Sequence, residues 1–569
     1  MPIMDKYTAL EPLTESQRNE LKEYSDIVAH LLFHRGITTS KDAGDFINPS
    51  YEDNLHDPFL FKDMDKATDR ILKAIKEKES ICIYSDYDAD GVPGAVILND
   101  FFRKVGVENF EVYIPHRNKE GFGLNKKAIE GLHERGVKLI ITIDCGIADA
   151  PLVKYANELG MEVVITDHHE PHDDVPEAHA IVNHKQKGCE YPEKILCGSG
   201  VVFKLVQALI QKGDFGLVEG WEKWLLDMVG IATLSDMVPL RGENRALVHY
   251  GMHVLRKSPR KGLHQLLKKT GTNQRFLNEE DVGFTISPRI NAASRMGVPK
   301  KAFEMLSATD DIDAKELVNY LHEINNERKG LVASMVKEIR KHLSKTGELK
   351  ILAMGNVSWK PSLLGLAANT VMNDYGIPVF LWGRGEGQDL KGSCRVPEGF
   401  SGIDLMNNLT KGTLETYGGH HQAGGFVVGA PHVDLLQGEF EKSFESLYKE
   451  GKPVLKKQID YILNPDDITE SLFRDIEKLS PFGMNNERPT FLIKECVVKE
   501  VSRFGADKGH IRINIERKNS DLESIAFFIK EGEWDKIKTG QEISVVGKIE
   551  KSYFNRPPKV RLRIDDVLF

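Results

Sequence analysis

The feature that most restricts the fold is a repeated alternation of short apolar strands and helices after the first 60 residues. Strands are predicted at residues 81–84, 137–143 and 163–166, and helices at 94–105 and 151–159. Consecutive strands that are separated by helices pair in parallel, because only a crossover connection brings a parallel neighbour alongside. We therefore predict an α/β fold built on a doubly wound parallel sheet.

The chain is long enough for several domains, because 569 residues exceed what a single hydrophobic core normally supports. Residues 314–343 are charged and carry apolar side chains at helical spacing, which predicts a long connecting helix. Short alternating runs such as 511–515 and 543–547 are typical of a small antiparallel β domain. The predicted division is an N-terminal helical extension, a parallel-sheet domain, a connecting helix, a second α/β domain and a β-rich domain (1–60, 61–313, 314–347, 348–450 and 457–569).

Composition and charge narrow the class of protein. The chain is 41% hydrophobic and 28% charged, as folded proteins are, and its six cysteines include no Cys-x-x-Cys pair. This pattern disfavours a disulfide framework or a zinc knuckle and indicates a reducing compartment. We find no apolar run of about 20 residues and no signal peptide, so we expect a cytoplasmic protein without a membrane partner. The net charge of −9 argues mildly against nucleic acid, but an acidic metal site lowers the total while basic grooves lie elsewhere.

Three predicted strands and a fourth apolar segment after an amphipathic run end in acidic residues. The four segments concerned end in Asp86-Tyr87-Asp88-Ala89-Asp90-Gly91, in Asp144, in Asp167-His168-His169 and in Asp236. Ligands collect beyond the carboxyl ends of parallel strands, so we expect these side chains to meet at one edge of the sheet. Each segment alone has a simpler explanation, since an Asp after a strand is often a turn or cap residue. The first also resembles the start of a calcium loop, but position 12 from Asp86 is Ile97, where that loop has Glu.

The number of carboxylates at this edge predicts a metal site, because they would repel one another unless cations neutralise them. Carboxylates with one or two imidazoles and no thiolate favour Mg²⁺ or Mn²⁺, and the histidines tilt the choice toward Mn²⁺. The ligands suffice for two ions about 3.5–4 Å apart, an arrangement that cleaves phosphoesters with a metal-activated water. We therefore predict a metal-dependent phosphodiesterase.

The same residues carry a resemblance to a known family. Asp88-Ala89-Asp90-Gly91, Asp144, Asp167-His168-His169 and Asp236 resemble the motifs of the DHH phosphoesterase superfamily. Within it, the chain is similar over nearly its whole length to the RecJ family of 5′→3′ exonucleases specific for single-stranded DNA. The further matching motifs are His34-Arg35-Gly36-Ile37, Phe46-Ile47-Asn48-Pro49-Ser50, Leu196-Cys197-Gly198-Ser199-Gly200-Val201, Pro288-Arg289-Ile290-Asn291-Ala292, Gly418-Gly419-His420-His421 and Pro481-Phe482-Gly483.

This resemblance implies an architecture and roles for individual residues. A DHH domain is expected to be joined by the long helix to a DHHA1 domain, followed by a barrel like an OB-fold. The implied metal ligands are Asp86, Asp88, Asp90, Asp144, His168 and Asp236. The implied catalytic residues are His169, facing the scissile phosphate and the attacking water, with Asp167 in support, and Arg289 and His420. The implied substrate contacts are Asn291, Arg295, Arg395, Gly418, Gly419 and His421.

Three positions depart from the family's pattern. Tyr84 stands where many members of the superfamily have a ligand histidine, which leaves the coordination of one metal ion open. Ser294 occupies a position that is usually Gly. Gly392-Ser393-Cys394-Arg395-Val396 matches the common Gly-Ser-x-Arg-Ser only in part.

The C-terminal half leaves two alternatives open. The glycine-rich residues 417–425 form either a flexible turn or, as the resemblance implies, a loop whose backbone N–H groups approach a phosphate. In the β-rich domain, Phe504 and Tyr553 either stack on the bases of a single strand or pack inside the barrel.

The implied function is hydrolysis of single-stranded DNA from the 5′ end, in DNA repair and recombination. The partners that go with it are a single-strand-binding protein and a helicase, and the expected state is a monomer. A second hypothesis is a relative that acts on small substrates such as pyrophosphate, oligoribonucleotides or cyclic dinucleotides. A third is a non-catalytic DNA-binding scaffold, which the presence of all the metal ligands disfavours.

Overall fold

A computed structural model describes residues 6–385, 389–449, 456–505, 508–529, 532, 534–552 and 557–569. Contacts within the chain divide it into two compact units. One takes its described residues from Met1–Leu55, Pro239–His249 and Val454–Phe569, and the other from His56–Val238 and Tyr250–Pro453. Among the described residues, no helix combines the length and the apolar character that a membrane crossing needs.

Residues 6–55 contain one short strand and four helices. They are β1 (Tyr7–Ala9), α1 (Glu15–Glu20), α2 (Asp26–His34), α3 (Ser40–Ile47) and α4 (Tyr51–Asn54). Thr14, Thr39 and Ser50 precede three of these helices, and each accepts a hydrogen bond from a backbone N–H of the first turn. Such caps satisfy N–H groups that have no partner inside the helix, so the polar residues before each helix define where it begins.

The parallel sheet follows in the unit that contains His56–Val238, which we call the larger unit. Its elements are α5 (Met64–Glu77), β2 (Ile81–Ser85), α6 (Gly91–Lys104), β3 (Phe110–Tyr113), α7 (Lys126–Glu134), β4 (Leu139–Ile143), α8 (Ala150–Glu158), β5 (Glu162–Thr166) and β6 (Ala180–Val182). The strands are all parallel in the order β3-β2-β4-β5-β6. The central strands β2 and β4 are buried along their whole length, as strands covered on both faces are. The predicted parallel sheet is confirmed.

A helical layer completes the first half of this unit and leads into the connecting helix. The helices are α9 (Gly198–Lys212), α10 (Leu226–Ser235), α12 (Lys261–Thr270), α13 (Glu279–Asp281), α14 (Ser287–Arg295), α15 (Lys300–Ser307) and α16 (Asp311–Thr346). Helix α11 (Gly242–Leu255) follows α10 in the chain, and its residues up to His249 belong to the other unit. A single turn of π-helix at Val282–Ile286 leads directly into α14. The connecting helix α16 packs against α12, α14 and α15, so it borders the surface on which α14 lies.

The second α/β segment consists of β7 (Leu352–Asn356), α17 (Pro361–Tyr375), β8 (Val379–Arg384), β9 (Leu390–Arg395), α18 (Gly402–Asn407), β10 (Thr416–Gly419), β11 (Ala423–Val428) and α19 (Leu436–Leu447). Its sheet has the order β10-β11-β9-β8-β7, in which only the β7–β8 pair is parallel. Helix α17 covers β8 and β9 and also packs against α16. The glycine-rich strand β10 lies at the edge and is exposed throughout.

The C-terminal segment forms a closed barrel. Its elements are β12 (Lys457–Ile459), β13 (Tyr461–Leu463), α20 (Glu470–Glu477), β14 (Phe491–Phe504), β15 (His510–Ile515), β16 (Leu522–Ala526), β17 (Glu542–Ser552) and β18 (Lys559–Leu568). The strand order β14-β15-β16-β18-β17 closes because β17 also pairs with β14. Residues of α2 and α3 share one hydrophobic core with the inward-facing residues of the barrel. The predicted barrel like an OB-fold is confirmed.

Candidate metal centre

The loop after β2 is held by hydrogen bonds from its backbone N–H groups to one of its own side chains. The Oδ1 atom of Asp88 accepts hydrogen bonds from the N–H groups of Asp90 (2.7 Å) and Gly91 (3.1 Å), so it caps the start of α6. A Cβ atom at Gly91 would lie 2.6 Å from the carbonyl oxygen of Asp86, so this tight turn requires glycine. The Asp-x-Asp-x-Asp-Gly sequence therefore folds into a turn that brings three carboxylates to the end of one strand.

The carboxylate of Asp90 is held at the N-terminus of α9. It accepts hydrogen bonds from the N–H groups of Gly198 (2.6 Å) and Ser199 (2.7 Å), and the Ser199 hydroxyl donates to the Asp90 carbonyl at 2.6 Å. A helix N-terminus favours a negative charge through its free N–H groups and its dipole. The Leu-Cys-Gly-Ser-Gly-Val motif thus orients one carboxylate of the site.

Asp144 occupies a strained position after β4. Its φ of 60° lies in the left-handed region, which non-glycine residues adopt rarely and often at functional sites. A Cβ atom at Gly198 would lie 2.7 Å from the Cβ of Asp144, so glycine is needed to let α9 approach. The Oδ1 atom of Asp144 lies 3.1 Å from Nε2 of His168.

The carboxylate of Asp167 accepts hydrogen bonds from the turn that follows it. Its Oδ1 accepts the N–H groups of His168 (2.7 Å) and His169 (3.1 Å) and the Nδ1 of His169 (2.7 Å). Its Oδ2 accepts the N–H of Ile147 at 3.0 Å. Burial raises the pKa of Asp167, but the hydrogen bonds from His169 and Ile147 outweigh it and lower the pKa overall. Asp167 therefore holds the two histidines in place rather than offering a free oxygen.

The side chains at the strand ends converge on one another. Potential ligand atoms lie within 4.8 Å of one another in three groups, namely Asp86 with Asp88 and Asp144, Asp90 with His168 and Asp236, and Asp144 with His168 and His169. His168 is central: its Nε2 lies 3.8 Å from Asp90 and its Nδ1 lies 3.8 Å from Asp236. We call these seven residues the metal cluster.

The electrostatics of the metal cluster fit divalent cations. Burial, with neighbouring carboxylates, raises the pKa of Asp86, Asp90 and Asp144, and burial with Asp90 and Asp88 raises the pKa of Asp236 to about 8. Within the described residues, buried Oδ1 atoms of Asp86 and Asp144 have no hydrogen-bond partner. Buried anionic oxygens are unstable unless something pairs with them. Oxygen ligands with imidazole and without thiolate suit Mn²⁺ or Mg²⁺.

Tyr84 is fully buried in the core that the sheet shares with α7 and α8. Its hydroxyl donates to the carbonyl of Gly123 and accepts from Nδ2 of Asn125, both at 3.0 Å. These bonds, with the carboxylate of Asp149 that accepts the N–H of Leu124, hold the loop before α7. This loop carries Phe122, whose ring meets the ring of His169 edge-on at 5.4 Å. Tyr84 therefore shapes the wall beside the cluster.

Five arginines gather next to the metal cluster, namely Arg117, Arg289, Arg295, Arg328 and Arg395, and we call them the arginine cluster. Burial and the guanidinium groups of Arg117, Arg328 and Arg395 lower the pKa of Arg295 to about 10, while Asp88 opposes this shift. Burial and Arg328 likewise lower the pKa of Arg289. In the described structure, the buried Nε atoms of Arg289 and Arg328 lack hydrogen-bond partners. So many cations with free donors are suited to phosphate oxygens.

The structure brings the predicted Arg289, Asn291, Arg295 and Arg395 to this region and adds two arginines that the sequence did not reveal. Arg295 bridges two parts of the unit, because it donates to the carbonyl of Ser362 in α17 at 2.8 Å. The Oδ1 atom of Asn291 accepts the N–H of Ala89 at 3.2 Å, so Asn291 braces the loop of the metal cluster. Arg117 and Arg328 were missed because one follows the unpredicted strand β3 and the other lies within a long charged helix.

The glycine-rich turn is exposed and makes local contacts. In the described part of the chain, the hydrogen bonds of His420 and His421 remain within the second α/β segment. The N–H of His420 donates to the carbonyl of Ala423 at 2.8 Å, and Nδ1 of His421 lies 3.0 Å from the hydroxyl of Ser401. Gly418 and Gly419 lie in the adjacent edge strand β10. Their contact with substrate stays a prediction.

The barrel carries a group of aromatic rings at its surface. Phe504, His510 and Phe527 contact one another with centroids 5.3–6.4 Å apart, and Phe528 lies 5.1 Å from His510. Phe528 is 86% exposed and Phe527 is 39% exposed. Tyr553 lies outside the described residues. We call these four rings the aromatic platform.

The parallel sheet and the metal cluster at its carboxyl edge define a metal-dependent phosphoesterase of the DHH class. Residues 80–233 match the DHH family, N-terminal domain, and residues 459–566 match the RecJ OB domain. The chain is 35% identical over 543 residues to the single-stranded-DNA-specific exonuclease RecJ of Bacillus subtilis, with 95% of this chain and 67% of that protein covered. It is 28% identical to RecJ of Escherichia coli, with 89% and 90% covered.

The structure gives the same result. A crystal structure of RecJ in complex with Mn²⁺ from Thermus thermophilus superposes with a TM-score of 0.82 at 26% identity, with 99% of this chain and 79% of that chain covered. The chain belongs to the RecJ family of single-stranded-DNA-specific exonucleases. The resemblance seen in the sequence motifs, the predicted fold class and the predicted class of enzyme are all confirmed.

Proposed function

We propose that this chain hydrolyses single-stranded DNA stepwise from the 5′ end with Mn²⁺ or Mg²⁺ in the metal cluster. The observation that carries this proposal is the position of the metal cluster beside the arginine cluster. Arg117 lies 5.0 Å from the ring of Tyr87, between Asp86 and Asp88, and Asn291 of α14 accepts the N–H of Ala89 at 3.2 Å. Carboxylates and histidines bind cations, and arginines bind the phosphates of the strand that is cut.

The roles within the metal cluster follow from which atoms are free. The proposed ligands of the metal ions are Asp86, Asp88, Asp90, Asp144, His168 and Asp236.

 Asp144 and His168 each belong to two of the three ligand groups, so each is placed to contact both ions. When bound, the ions supply an activated water and neutralise the phosphoryl oxygens. The side chain of His169 is 45% exposed while its Nδ1 is held by Asp167, so its Nε2 is the atom that faces the scissile phosphate.

The arginine cluster is proposed to hold the phosphates on either side of the cut. A terminal phosphate carries more negative charge than an internal phosphodiester, and it therefore gains more from several guanidinium groups. This charge match supports binding of a 5′-phosphorylated end beside the metal cluster and hence 5′→3′ polarity. Arg289, Arg295 and Arg395 act here together with Arg117 and Arg328, and Asn291 keeps the loop of the metal cluster in place.

The second α/β segment and the barrel are each proposed to contribute contacts to single-stranded DNA. Gly418, Gly419, His420 and His421 form an exposed edge that offers backbone and imidazole donors to the strand. On the barrel, Phe504 belongs to the aromatic platform, and Arg512 lies 5.4 Å above its ring. Exposed rings next to cations suit the stacking of bases, which tolerates any sequence.

The proposal is tested with one oligonucleotide labelled at either end, incubated with Mn²⁺ and with chelator. We expect labelled mononucleotide at once from the 5′ label and only late from the 3′ label, with no release in chelator. His168→Ala should abolish release, and His264→Ala, on the exposed face of α12, is the control. Full metal-dependent activity of His168→Ala would overturn the assignment of the metal cluster.

The two other hypotheses give different results in the same assay. A small-substrate phosphodiesterase would turn over a dinucleotide at least as fast as a long strand, whereas the proposed contacts favour the long strand. A non-catalytic scaffold would bind the strand tightly and release nothing in Mn²⁺. The membership in the exonuclease family and the complete set of cluster residues favour the exonuclease.

We also propose the cellular setting that goes with this activity. The protein is proposed to work as a cytoplasmic monomer in repair and recombination, on strands that a helicase exposes and a single-strand-binding protein covers. In this proposal the segments 61–313, 314–347 and 348–450 form the catalytic domain, the connecting helix and the substrate-binding domain. Residues 1–60 and 457–569 would then form the extension and the nucleic-acid-binding barrel.

A further inference from the structure

The loop that follows β6 contacts the back of the two histidines. Asn183 is fully buried, at 0% exposure. Its Nδ2 donates to the carbonyl of His169 at 2.9 Å, and its Oδ1 accepts the N–H of Lys185 at 2.8 Å. The amide of Asn183 therefore has its donor directed at the histidine turn and its acceptor directed at its own loop.

This contact holds the turn on the side that Asp167 does not reach. Asp167 binds the N–H groups of His168 and His169 and the ring of His169. The carbonyl of His169 lies on the other side of the same turn and receives the Asn183 amide. The N–H of His169 is thus bound by Asp167 at the end of β5, and its carbonyl is bound by Asn183 at the end of β6.

The loop of Asn183 is itself firmly attached. The side chain of Gln186 donates to the carbonyl of Ile181, and Nζ of Lys194 donates to the carbonyl of His184 at 3.1 Å. Nζ of Lys185 lies 3.1 Å from a carboxylate oxygen of Glu170, next to the histidine turn. His184 is 1% exposed, and its ring meets the ring of Phe61 edge-on at 6.1 Å. The amide of Asn183 is therefore presented by a rigid support.

We propose that Asn183 is a positioning residue that sets the place of His169 opposite the scissile phosphate. The proposal rests on the role of His169 under the proposed function. The side chain of His169 is 45% exposed, so the position of its ring depends on its backbone, on Asp167 and on the neighbouring rings of Phe122 and His168. Small displacements of a reacting group can lower a rate by about 100-fold, and partners behind active-site ligands typically contribute about 10–100-fold.

The test compares Asn183→Ala and Asn183→Ser with Asn157→Ala in the full chain. Asn157 also donates its amide to a loop carbonyl, that of Glu177 at 2.8 Å, but it lies on the exposed end of α8. We expect kcat on a single strand to fall about 10–100-fold for both Asn183 variants, while KM and the Kd for Mn²⁺ change less than about twofold. Asn157→Ala should keep the kcat of the unmodified protein.

A double variant separates positioning from a general loss of structure. If Asn183 acts through the imidazole, Asn183→Ala should cause no further loss of kcat in a His169→Ala background. An equal loss in both backgrounds, a parallel loss of Mn²⁺ affinity, or unchanged kcat in both Asn183 variants would overturn the proposal. Full activity of His169→Ala alone would instead refute the role of His169 in the proposed function, which is a distinct outcome. Asn183→Ser keeps a polar group in the buried position, so the comparison stands if Asn183→Ala does not fold.

Discussion

The metal cluster and the arginine cluster lie side by side in the larger unit, but they are held in different ways. The carboxylates of Asp90 and Asp167 receive backbone N–H groups from α9 and from the histidine turn. In the arginine cluster, the buried Nε atoms of Arg289 and Arg328 have no partner within the described residues. The metal cluster thus leaves carboxylate oxygens of Asp86 and Asp144 unpaired, which suits cations, whereas the unpaired atoms of the arginine cluster are N–H donors, which suit phosphate.

The largest loss of activity is expected from a substitution in the metal cluster. Asp144→Asn should lower kcat on a single strand by about 10³-fold or more, because a metal ion contributes several kcal/mol to the stabilisation of the transition state. Asp69→Asn, an exposed carboxylate that pairs with Lys212, serves as the control. A loss smaller than about tenfold would show that Asp144 does not bind a metal ion. The measurement is the initial rate at saturating Mn²⁺ and saturating strand.

A substitution in the arginine cluster should change substrate binding rather than metal binding. Arg117→Ala should raise KM for a 5′-phosphorylated strand about 10-fold, the value of one charge-assisted hydrogen bond, and should leave Mn²⁺ affinity unchanged. Arg135→Ala removes an exposed pair with Glu111 in the same domain and is the control. A loss of Mn²⁺ affinity in Arg117→Ala would contradict the assignment of metal binding to the metal cluster and phosphate binding to the arginine cluster. Equal effects on 5′-phosphorylated and 5′-hydroxyl strands would contradict the terminal-phosphate site.

The smallest expected effect is a dependence of thermal stability on pH. The pKa of Asp236 is raised to about 8 in the folded, metal-free protein, above its value in the unfolded chain. The stability that this group contributes is therefore complete at acidic pH and is lost as pH rises through about 8. Bound Mn²⁺ stabilises the ionised carboxylates, so the Tm difference between Mn²⁺-loaded and metal-free protein should widen from acidic to alkaline pH. The widening should shrink in Asp236→Asn, and a constant difference in the unmodified protein would contradict this account.

The same contrast explains how much of the site could be predicted from the sequence. Asp86, Asp144 and Asp167 follow apolar strands, so the rule for parallel sheets places them at one edge. Arg117 and Arg328 reach the site only through the folded arrangement of a loop and the connecting helix, and neither position is unusual in sequence. The metal cluster was therefore predicted from the local sequence pattern, whereas part of the arginine cluster was not.

The fold shows a similar division. The central strands were predicted because they are apolar along their length, as buried parallel strands are. The edge strands β3 and β6 were missed, because β3 is only partly buried and β6 has three residues. The sequence also did not predict on which face of the sheet Tyr84 lies, because neighbouring positions of a fully buried strand are equally apolar.

The most direct test of the central claim is the number of Mn²⁺ ions bound per chain, measured by equilibrium titration for the unmodified protein, Asp144→Asn and Arg117→Ala. We predict two ions for the unmodified protein and for Arg117→Ala, and fewer for Asp144→Asn. Unchanged Mn²⁺ binding in Asp144→Asn, or loss of binding in Arg117→Ala, would contradict a site that separates metal binding from phosphate binding.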